Sequence, residues 1–130
     1  MIIRRDQIRV FEDFMKDAFE DRMVAHMASR YPGQYTQYTR DGQGDQGART
    51  LVRRAIEKAA NLGAKREGSI QQLLEIMLET SPEFDTDPAM AWTRFILDDR
   101  TLNGGTRILL VHQKLPDFLA RQRQHTEQKD

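Results

Sequence analysis

The chain has 130 residues, 38% hydrophobic and 31% charged, with 20 Lys plus Arg balanced by 20 Asp plus Glu. That length suits one domain with a real core, and the balanced charge withholds the basic excess that supplies most of a nucleic-acid binder's affinity. Cysteine is absent, which excludes disulfides, thiol catalysis and Cys-based zinc sites.

The opening MIIRRDQIRVF is charged by residue 4 and lacks a long apolar core, so neither a signal peptide nor an anchor is expected. No run approaches the ~20 apolar residues of a membrane span. Residues 4–30 read as one long helix, because Ile8, Phe11, Met15, Ala18 and Phe19 recur at three- and four-residue steps. Pro32 ends it, since proline disfavours helix in the residue before it. The polar, glycine-rich YPGQYTQYTRDGQGDQG then reads as a mobile loop over about residues 31–45.

A second helix is expected over 45–62, with Asp45 as cap, Leu51, Val52, Ala55, Ile56 and Ala59 inward, and Gly63 as its stop. A third starts between Lys65 and Ser69 and runs to Thr80. Ser69 with Gln72 offers a capping box, and Ile70, Leu73, Leu74 and Met77 form the stripe. The fourth spans Pro88 to Asp98, with Ala89, Trp92, Phe95 and Ile96 inward. Asn103-Gly104-Gly105 breaks the chain. The fifth helix begins near Thr106, carries Ile108, Val111, Leu115 and Phe118, and should kink or divide at Pro116. Residues 125–130 read as a flexible tail. No segment sustains a two-residue alternation, so the expected fold is all-α: a single compact bundle of about five helices over residues 1–124.

Three patterns could carry chemistry. Gly42 to Gly47 matches G-x-G-x-x-G, yet dinucleotide binding also needs a preceding strand, and none is expected. His26, His112 and His125 are scattered, with no metal-ligand spacing. In SPEFDTDPAMAW, Asp85 and Asp87 could hold a metal, but Asp87-Pro88 is also a helix start, an acidic cap followed by proline at the first position. A metal site wants more oxygen ligands than this turn supplies. Projected at about 100° per residue, the stripe of the first helix continues onto Arg22 and His26. Either Arg22 is buried against the carboxylate of Asp85 or Asp87, or it reaches out at the edge of the bundle. Arg22, His26, Asp85 and Asp87 are thus expected as a structural polar cluster, with no catalytic, metal or cofactor site.

The opening MIIRRDQIRVFEDFMKDAFEDRMVAH and the later FDTDPAMAW resemble small uncharacterised helical proteins of bacterial type VI secretion gene clusters, encoded near spike proteins of the VgrG and PAAR classes. The resemblance covers the first and fourth helices and brings no functional residues with it. It implies a cytoplasmic accessory role, an adaptor or co-chaperone that helps load an effector onto the spike. Such a protein acts by docking, and its partner is a protein rather than nucleic acid or membrane. Interfaces centre on aromatic, Met and Arg anchors. Tyr35 and Tyr38 in the loop are candidates, as are Met23 and Met27 on the first helix. The alternative is an immunity protein that neutralises a toxin. A third reading is a small metal-dependent enzyme using Asp85 and Asp87 with His26 or His112.

Overall fold

The structure, a computed structural model, describes the backbone of residues 5–40 and 44–127 and the side chains of 15–40 and 44–124. Its order is α1 (Arg5–Arg30), α2 (Pro32–Tyr38), α3 (Gln46–Asn61), α4 (Glu67–Glu79), two short 3-10 turns (Phe84–Thr86 and Pro88–Met90), α5 (Ala91–Leu97) and α6 (Gly104–Glu127). No strand occurs among the described residues. The chain divides into two compact units, residues 1–53 and 54–130. The division falls inside α3, between Arg53 and Arg54, where the helical pattern continues and no turn residue gives a signal.

In the first unit, α1 ends at Arg30 as the proline requires, but the chain does not become a loop. Pro32 opens α2, its fixed φ suiting the first helical position. The Thr36 and Thr39 hydroxyls donate to the carbonyls of Pro32 and Tyr35, each at 2.9 Å. This corrects the expected loop over 31–45: seven of its residues are helical. Residues 41–43, including Gly42, lie outside the described residues. Gly47 sits where a Cβ would come 1.9 Å from the Tyr38 carbonyl oxygen, so glycine is what lets α3 start against the end of α2.

The buried stripe of α1 is Phe19, Glu20, Met23, Val24 and Met27. It is rotated by one residue from the expected line through Arg22 and His26. The Ile8 and Phe11 side chains, on which that line also rested, lie outside the described ones. Glu20 is 1% exposed. Its two oxygens accept from Arg53 Nε at 2.9 Å and Nη2 at 3.3 Å, with Arg49 Nη1 at 3.8 Å. Arg49 also engages Asp21 and, at 3.1 Å, Asp45.

In the second unit, α3 closes on Gly63, whose φ of +79° a glycine adopts without strain. Gly63 N donates to Ala60 O and Ala64 N to Ala59 O, the paired bonds of a Schellman cap. α4 begins at Glu67, within the expected window of Lys65 to Ser69 but two residues ahead of the Ser69 box, and Arg66 precedes it without a side-chain cap. The acidic Glu67 in that first turn suits the helix dipole. α4 lies along α6, and Leu73, Leu74, Ile76, Met77, Ile108, Val111 and Leu115 are buried.

Asn103 starts α6 rather than only breaking the chain: its Oδ1 accepts from Thr106 N at 2.8 Å. Gly104 is buried, and a Cβ there would stand 2.1 Å from the Leu62 carbonyl oxygen. Arg107 donates to two helix ends, to Leu97 O at 2.7 Å and to Leu62 O at 3.4 Å. α6 runs through Pro116 without being divided there, so of the expected kink or division the division does not occur. One missing amide removes one hydrogen bond, and Leu115 beside it is buried in the core. The helix continues to Glu127, so the first residues of the expected tail are helical.

The glycines give a paired test. Gly104→Ala must displace backbone and should cost about 1–3 kcal/mol. Gly68 in α4 has nothing within 4 Å of its would-be Cβ. Gly68→Ala should therefore stabilise by up to about 1 kcal/mol. Urea titration of both variants checks the signs.

The Glu20 cluster gives a second test. Arg53→Ala should lower Tm by stranding a buried carboxylate. Adding Glu20→Leu to that variant should restore part of the loss. A further fall in the double variant would show that Glu20 is held by something other than Arg53.

Candidate functional site

The Asp85–Asp87 turn is held from both ends. Phe84 is buried and plugs the first 3-10 turn into the core. Asp87 accepts from Ala89 N at 2.9 Å and so caps the second, with Pro88 at its first position. Both oxygens of Asp85 accept from Lys58 Nζ on α3, at 3.0 and 3.1 Å. Arg54, one turn back on the same helix, pairs with Glu83. The capping role expected for Asp87 is the one observed. The expected cation for Asp85 or Asp87 was Arg22, whereas Asp85 has Lys58, although the four-residue step from Arg54 to Lys58 puts both on one face.

Arg22 is exposed, with its guanidinium over the Phe19 ring at 5.7 Å. His26 is half-buried and meets the Tyr31 ring edge-on at 6.1 Å. Met23 and Met27 are buried, Met27 at 0% exposure, which removes them as exposed anchors and makes them core. Tyr35 and Tyr38 are half-buried on α2. Among the described residues no group of three or more His, Cys, Asp or Glu could hold a metal, and no helix is long and apolar enough to cross a membrane.

Three features lay outside the sequence expectations. Phe95, expected inward, is 84% exposed, while Met90, Thr93 and Leu97 are the buried residues of this region. Trp92 is half-buried against Phe118, ring centroids 5.3 Å apart.

The second feature is an open groove of about 660 Å³, lined by Lys65, Arg66, Ser69, Gln72, Thr106 and Leu109 among others. It lies between the α3–α4 turn and the start of α6. The third is a titratable seam between α4 and α6. His112 Nε2 lies 2.9 Å from Glu75 Oε1. One turn along α4, partial burial raises the Glu79 pKa; the His112 charge opposes the rise and the Glu75 charge adds to it.

Compared with known proteins, this chain matches no family model, no curated protein and no solved structure.

Two outcomes follow from this geometry. Since both Asp85 oxygens face an ammonium, Mg²⁺, Ca²⁺ or Mn²⁺ should leave Tm unchanged, whereas Asp87→Ala should cost about 1 kcal/mol as a lost cap. A metal-dependent rise in Tm that Asp85→Asn abolishes would contradict this.

Glu79 gives a pH dependence. Its folded pKa lies above its ordinary value of 4.5, so the native state holds its proton longer than the unfolded one. Stability from this group is therefore lost as pH rises through the window above 4.5. Glu79→Gln should raise Tm at pH 7 relative to the wild type, with the difference vanishing below pH 4.5.

Proposed function

We propose that this chain is a protein-binding accessory factor of the cytoplasm, an adaptor or co-chaperone for a type VI secretion effector or spike protein, acting by docking without bond chemistry. The observation that carries the binding reading is Phe95. It is 84% exposed on α5, the same helix on which Thr93 is fully buried. Burying a Phe side chain is worth about 1.5–3 kcal/mol. The fold leaves that gain unused, and a partner surface can collect it. Phe is among the residue types enriched at interfaces relative to the rest of a protein surface. The assignment to secretion rests on the resemblance of residues 1–26 and 84–92 alone.

Arg94, beside Phe95, is paired with Asp98 at 2.7 Å within its own helix. It supplies a polar rim already satisfied in the free protein. Docking on Phe95 would then desolvate an apolar ring without stranding a charge.

Co-purification with the proteins encoded beside it separates the readings. An adaptor brings down an effector or spike protein, and Phe95→Ser abolishes the capture while leaving Tm within a few degrees. Capture of a toxin with loss of its toxicity would establish the immunity reading instead. Capture that survives Phe95→Ser would remove Phe95 as the anchor.

A further inference from the structure

We draw no further inference here: the strongest candidate, the open groove beside Lys65 and Arg66 between the α3–α4 turn and the start of α6, rests on helix N-termini and exposed cations, and nothing in the structure shows what ligand it takes.

Discussion

Burying a carboxylate is costly unless it is paired or hydrogen-bonded, and the Glu20 side chain is buried. That constraint gives α3 its composition in the first unit. Arg49 and Arg53, four residues apart, share a face and close on Glu20, with Asp21 and Asp45 taking the outer donors of Arg49. In the second unit the same helix repeats the device with Arg54 and Lys58, which meet Glu83 and Asp85. All four cations of α3 are thus engaged by carboxylates. The near-equality of acids and bases in the composition is a local pairing as well as a global sum.

These pairs set register more than they supply energy. An exposed pair such as Arg54–Glu83 contributes about 0–1 kcal/mol, and a buried one roughly breaks even after desolvation. The apolar face of α3 carries the larger contribution: Ala48, Leu51, Val52, Ala55 and Ala59 are all buried. Three of these five are alanines, and the glycines at 47 and 104 stand where backbone comes close at a helix start.

The helical class, the C-terminal ends of α1 and α3, the apolar faces of α3 and α4 and the Asp87 cap were all legible, because each rests on local chemistry: a proline, a glycine, a cap or a repeat. What was not legible is phase. In α1 the buried line runs through Phe19, Met23 and Met27 rather than Phe19, Arg22 and His26. In α5 it runs through Met90, Thr93 and Leu97 rather than Trp92, Phe95 and Ile96. Each is a shift of a single residue, about 100° of rotation. Periodicity establishes that a stripe exists, but where hydrophobic residues are adjacent two stripes fit equally well, and tertiary packing chooses between them. Residues 32–38 were misread for the opposite reason. A polar seven-residue helix has no stripe to find; Pro32 suits its first position, and it lies against α1.

The phase of α5 bears directly on what the molecule offers to others. Thr93 in the interior is intelligible: its hydroxyl donates to Met90 O at 2.7 Å, so burial strands nothing, and its small volume lets α5 lie close on α6. That accounts for the threonine but not for the phenylalanine two residues on. A polar residue at 95 would serve the fold at least as well, since the side chain is in water and, among the described residues, makes no ring contact like that of Trp92 with Phe118. Single exposed apolar residues are ordinary on protein surfaces, but a phenylalanine left 84% in water is a larger concession than an exposed leucine. Packing within this chain gives no reason for it. Docking of a partner on Phe95, as proposed above, would give that ring the burial that the chain itself does not.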